Sequence, residues 1–106
     1  MKRGEVWWVA FGPTVGGEIQ KRRPTVVISN DAANRFLNRG QVVPITSNVA
    51  KLYPSEALVM VRGKQAKALA DQLTTVSKER LLNRVGVLSA REMQDVAEAI
   101  QVQLDL

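Results

Sequence analysis

The chain has 106 residues, a formal net charge of +5 and an isoelectric point near 10.1, so one small domain with an anionic partner is expected. It has neither cysteine nor histidine, which excludes disulfides, thiolate chemistry and cysteine zinc sites, and removes the commonest acid–base residue. No apolar run has the length of a membrane span and no secretion signal opens the chain, so a cytoplasmic protein is expected.

Glu5 to Phe11 (EVWWVAF) predicts a strand. Neighbouring strand residues face opposite ways, so Trp7 and Trp8 cannot enter one core, and Glu5 shares a face with Trp7. An exposed second tryptophan is expected to line a groove or an oligomer interface, or to stand partly covered at the surface. Gly12 to Glu18 (GPTVGGE) is a loop without a phosphate-binding fingerprint. With the residues up to Arg22 it forms a long connection, and long connections in compact domains are often functional.

The next stretch organises the chain. Lys21, Arg22 and Arg23 arrive together, and Pro24 fixes the backbone and holds Arg23 extended. Thr25 to Ile28 are all β-branched and predict a buried strand over 24–29, ended by the turn chemistry of Ser29-Asn30-Asp31. A guanidinium is thereby held at the entrance of a rigid strand; the alternative is a solvated basic loop. Asp31 to Gly40 is a polar excursion with one helical turn, Phe36 and Leu37 tucked back.

Gln41 to Ser47 (QVVPITS) predicts a third strand, in which Pro44 implies an edge or a bulge. Thr46, Ser47 and Asn48 cluster at its exit, either as functional groups or as strand-end hydrogen bonding. Glu56 to Val61 predicts a fourth strand and Arg62-Gly63-Lys64 a basic turn. Ala66 to Val76 is ambiguous between helix and strand; a strand from about Ala68 is expected, with Asp71 in an apolar run where a carboxylate needs a partner. Ser77 caps a short helix to Leu82, and Arg84 to Leu88 predicts a last strand. Ser89 with Glu92 forms a capping box, and Met93, Val96, Ala97, Ile100 and Leu104 form the apolar stripe of a terminal helix. Short strands with one late helix predict a small curled sheet or barrel.

Arg3-Gly4-Glu5-Val6-Trp7, Arg23 to Asn30, Val43-Pro44-Ile45-Thr46-Ser47, Ala70-Asp71-Gln72 and Leu81 to Gly86, in this order and spacing, resemble the MazF/PemK family of toxin endoribonucleases. The resemblance covers nearly the whole chain. It implies a mainly β, SH3-like barrel with a C-terminal helix, as one domain over 1–106. It implies a homodimer of a type II toxin–antitoxin pair that cuts single-stranded RNA, messenger RNA above all, at short sequences. It also implies a cognate antitoxin whose acidic, flexible tail occupies the RNA site. The family's catalytic arginine and threonine match Arg23 and Thr46, and its acidic residue matches Asp71. Two residues before Asp71, where some relatives carry a cation, this chain has Leu69.

RNA carries its own nucleophile, so attack of the 2′-hydroxyl on phosphorus, leaving a 2′,3′-cyclic phosphate and a 5′-hydroxyl, calls for no metal or other cofactor. Arg23 suits stabilisation of the phosphoryl oxygens because its planar fork binds two at once, and the Thr46 hydroxyl can donate to another. Trp7, Lys21, Arg22, Ser47, Asn48, Lys51, Asp71 and Gln72 are candidates for binding or orienting RNA, with Arg62 at the rim of the groove. The loop from Gly12 to Arg22 is a candidate lid. Two other readings are a non-cutting toxin of the same fold, such as a gyrase inhibitor, and a plain nucleic-acid-binding barrel.

Overall fold

The computed structural model describes residues 1–12 and 21–106, so the expected loop and lid lie almost wholly outside the described residues. The described elements run β1 (Glu5–Phe11), β2 (Lys21–Val27), α1 (Asp31–Phe36), β3 (Arg39–Thr46), β4 (Glu56–Val61) and β5 (Lys64–Leu69). A 3₁₀ turn at Ala70–Gln72, β6 (Thr74–Ser77), a 3₁₀ turn at Lys78–Arg80, β7 (Leu81–Val87) and α2 (Ala90–Leu104) complete them. The strands pair in the order β4-β5-β3-β2-β1-β7, with β6 also on β3. The expected mainly β architecture with a C-terminal helix is what forms. No helix among the described residues is long and apolar enough to cross a membrane.

β3 holds the sheet together. Its first half, Arg39 to Val42, pairs with β6, and Ile45 and Thr46 pair with β5. Pro44 sits at the change of neighbour, so the expectation of an edge position or a bulge is corrected: β3 is central, its register on β2 runs unshifted to Pro44, and Pro44 is buried. The Ile28 amide bonds the Gln41 carbonyl at 3.0 Å. Antiparallel pairs alternate between bonded and non-bonded, so the pair Thr25↔Pro44 is a non-bonded one. The missing amide of Pro44 therefore faces away from β2, towards the gap between β5 and β6, where no ladder bond is lost.

Alternation divides the sheet into two faces. One carries Val6, Val26, Val43, Ile45, Ala57, Val59, Ala66 and Ala68, covered by Val96 and Ala99 of α2. The other carries Val9, Val27, Val42 and Val76, with Trp7, Phe11 and Leu81 against them. The capping box forms as expected: the Ser89 hydroxyl accepts from Glu92 N at 3.1 Å and Glu92 Oε1 accepts from Ser89 N at 2.9 Å. Met93, Val96 and Ile100 pack inward, while Leu104 at the helix end is exposed.

Several expectations are corrected. β2 begins at Lys21, because the three cations pair with Phe11, Ala10 and Val9 of β1 rather than forming a loop. Phe36 is 79% exposed and Leu37 is exposed as well, since the single turn of α1 directs them outward. The strand expected from Ala68 starts at Lys64, after a turn with positive φ at Arg62 and Gly63, and ends at Leu69. Ser77 caps only one 3₁₀ turn; Leu81 and Leu82 already belong to β7, whose pairing with β1 outweighs helix propensity. Of the tryptophan alternatives the partly covered one forms: both are half-buried, and Trp7 Nε1 donates to Glu5 Oε1 at 3.2 Å.

Candidate active site

Cross-strand partners share a face, so β2 alternates its cations. Lys21 and Arg23 stand with Thr25 and Val27 on one face; Arg22 stands with Pro24 and Val26 on the other. The expectation of one cationic cluster is corrected accordingly: the pleat removes Arg22 from it. Thr25 is fully buried and its hydroxyl donates to the Trp7 carbonyl at 3.3 Å, tying β2 to β1 directly below Arg23.

The pairing Thr25↔Pro44 and Val26↔Val43 sets the register of β2 on β3. That ladder ends at Thr25 and Pro44, with Arg23 two residues beyond on β2 and Thr46 two residues beyond on β3. Arg23 is exposed, and its Nη1 donates to Gln72 Oε1 at 3.3 Å on the 3₁₀ turn between β5 and β6. A cavity of about 260 Å³ opens here, lined by Phe11, Lys21, Arg23, Pro44, Gln72 and Thr74.

Thr46 ends β3, half-buried, and its Oγ1 accepts from the Asn48 amide at 3.3 Å. Its hydroxyl proton remains free to donate to a ligand. Ser47 and Asn48 follow, both exposed, and Asn48 Oδ1 accepts from Ala50 N at 3.3 Å. The strand-end role of these groups is therefore real and leaves the Thr46 donor available.

Asp71 lies on the 3₁₀ turn next to Gln72 and is exposed. The expectation that it needs a buried partner is corrected, because the turn lifts it out of the apolar run. Arg62 is not at the groove: it sits at the turn of the β4–β5 hairpin, and its Nε donates to the Val85 carbonyl at 3.2 Å. The six residues of β5 separate that turn from Gln72's by roughly 20 Å. Trp7 shares the groove face but does not line the cavity.

Lys51 lines a second recess with Asn48, Ala50, Tyr53 and Lys67. Lys67 is the residue that the sequence reading missed. It is the cross-strand partner of Thr46, and its side chain is nine-tenths buried. Its Nζ donates to Glu56 Oε1 at 2.9 Å and to the Lys51 carbonyl at 2.7 Å. Burial pushes the Glu56 carboxyl up, but the Tyr53 amide and the Lys67 ammonium outweigh it and hold it below the usual glutamate value. The signal was the alternation of Gln65, Lys67 and Leu69 with Ala66, Ala68 and Ala70, which gives the lysine its own face.

Along one face the curled sheet presents an arginine fork, a hydroxyl and a flanking lysine, donors and charge that suit an anion. Residues 2–104 match the family of PemK-like, MazF-like toxins of type II toxin–antitoxin systems. Endoribonuclease MazF9 of Mycobacterium tuberculosis is 44% identical, over 100% of this chain and 98% of its own length. Endoribonuclease EndoA of Bacillus subtilis is 32% identical, over 100% of this chain and 96% of its own length. A crystal structure of MazE–MazF from Deinococcus radiodurans superimposes with a TM-score of 0.81 at 26% identity, covering 100% of this chain and 97% of the matched chain. The chain belongs to the PemK-like, MazF-like toxin family.

Proposed function

We propose that this protein is the toxin of a type II toxin–antitoxin pair and cuts single-stranded RNA, in the cytoplasm, at the groove between β2, β3 and the Ala70–Gln72 turn. The observation that carries this is the cavity that Arg23 lines with Lys21, Pro44 and Gln72, in a chain 44% identical to a named endoribonuclease. The Arg23 fork binds the phosphoryl oxygens and stabilises the charge that develops as the 2′-oxygen attacks. The Gln72 side-chain Oε1 steadies that fork at 3.3 Å. Thr46 donates to a further oxygen. Lys21 adds positive charge on the same face, while Asp71 beside Gln72, and Ser47 and Asn48 beside Thr46, are exposed polar groups. As the 2′-oxygen–phosphorus bond forms the P–O5′ bond breaks, water takes the 2′-hydroxyl proton and supplies one to the leaving 5′-oxygen, and a 2′,3′-cyclic phosphate and a 5′-hydroxyl end result.

Replacing Thr46 by valine keeps the shape and removes the hydroxyl. Asn48 N loses an acceptor but is open to water, so the fold is expected to survive. Single-turnover cleavage of RNA is expected to fall by at least tenfold, with a smaller change in affinity for uncleavable RNA. Unchanged cleavage would reduce Thr46 to a strand-end residue.

Type II pairing supplies an antitoxin, and an acidic flexible segment of it fits the cationic face of Lys21 and Arg23. Its carboxylates would lie where phosphates lie, at the cost of ordering the segment. Antitoxin and RNA are therefore expected to exclude each other, and RNA affinity to fall with salt. Competition titration with labelled uncleavable RNA checks this; a ternary complex with undiminished RNA affinity would rule out the shared groove.

A homodimer accompanies this reading. The edge strand β4 exposes Leu58 and Met60, and the other edge, β7, exposes Leu82 and Val87, leaving apolar surface to hide. Sedimentation is expected to give twice the chain mass at micromolar concentration. A fully active monomer would contradict it.

A further inference from the structure

The recess beside Thr46 is a separate feature from the cavity at Arg23. It has a volume of about 290 Å³ and is lined by Asn48, Ala50, Lys51, Tyr53 and Lys67. It lies one strand further along the same face, since Thr46 pairs with Lys67. An RNA strand whose phosphate sits between Arg23 and Thr46 would bring its neighbouring nucleotide here.

The walls are built for a flat, polar ligand. Tyr53 is half exposed and supplies an aromatic wall, with Lys67 Nζ 5.6 Å from its ring centroid. An ammonium has three N–H donors and no acceptor. Glu56 and the Lys51 carbonyl take two, so one donor of a side chain nine-tenths buried remains for whatever enters. Glu56 also balances the charge, so Lys67 is fixed in place rather than free to follow a phosphate.

We propose that this recess is a nucleobase subsite, for the nucleotide next to the scissile phosphate, that selects keto bases. Lys67 donates to O4 of uracil or O6 of guanine. Adenine and cytosine present an amino group at that position, N6 or N4, which cannot accept from an ammonium. The proposal rests on the endoribonuclease reading and adds to it the source of part of its sequence preference.

The test cuts a pool of random single-stranded RNA and maps the ends by sequencing. The wild type is expected to enrich uracil or guanine about tenfold at one position beside the cut. The double variant Lys67→Met/Glu56→Gln, which removes both buried charges together, is expected to bring that position to within about twofold of the pool while preferences elsewhere persist. Tyr53→Leu, which leaves the buried pair untouched, is expected to weaken the same position and serves where the double variant does not fold. An unchanged profile in the folded variants, or adenine or cytosine enriched beside the cut by the wild type, would overturn the subsite alone. A wild type that cuts no RNA would overturn the endoribonuclease reading and the subsite with it.

Discussion

Arg23→Ala is expected to lower the cleavage rate by about 10²–10³-fold, the range seen when one preorganised donor to a developing oxyanion is removed. The fold should not suffer. Arg23 is exposed and its one side-chain hydrogen bond among the described residues, to Gln72, is a 3.3 Å contact at the surface, so stability should change by no more than about 0.5 kcal/mol. Arg23→Lys separates charge from geometry. A lysine keeps the charge but loses the fork, so it is expected to recover RNA affinity better than it recovers rate. Single-turnover cleavage with thermal melting of the same samples reads both. A folded Arg23→Ala protein cutting at the wild-type rate would remove Arg23 from the mechanism.

The second large effect is on stability. Lys67→Met leaves Glu56 charged, nine-tenths buried and without its ammonium partner, and breaking a buried pair from one side costs about 3–5 kcal/mol. Lys67→Met/Glu56→Gln removes both charges and is expected to return most of that. Urea unfolding of the two variants measures the difference, and equal loss in both would show that the pair matters through packing rather than charge. The same pair sets a pH dependence. The Glu56 carboxyl is held below its usual value in the folded protein, so its contribution is present above the unfolded value of about 4.3. It is lost as pH falls through the lower folded value. Titrating the wild type and the double variant from neutral to acid pH should therefore bring their stabilities together.

How much of this was legible depended on how strongly local pattern and tertiary pairing agreed. β1 and the start of α2 could be read to within a residue, because six apolar residues after Glu5 and a Ser89–Glu92 capping box each point one way. Arg23 and Thr46 were legible as residues, and their places two residues beyond the Thr25–Pro44 pair appear only with the register. The start of β2 was not, since Lys21 and Arg22 read as loop until Phe11 and Ala10 of β1 pair with them. β5 was hidden because alternating lysine and alanine has helix-forming composition; its partners on β3 and β4 override that preference. Arg62 illustrates a different limit. Its charge placed it at the groove, and only the direction of the β4–β5 hairpin shows that it stands at the far end.

The most direct measurement is incubation of the protein with long single-stranded RNA in excess chelator, followed by chemical mapping of both ends at each cut. Cuts at a short recurring sequence, with 2′,3′-cyclic phosphate on one side and 5′-hydroxyl on the other, are the result expected of Arg23 and Thr46 acting on the RNA's own 2′-oxygen. Intact RNA under these conditions, or ends carrying a 5′-phosphate, would contradict it.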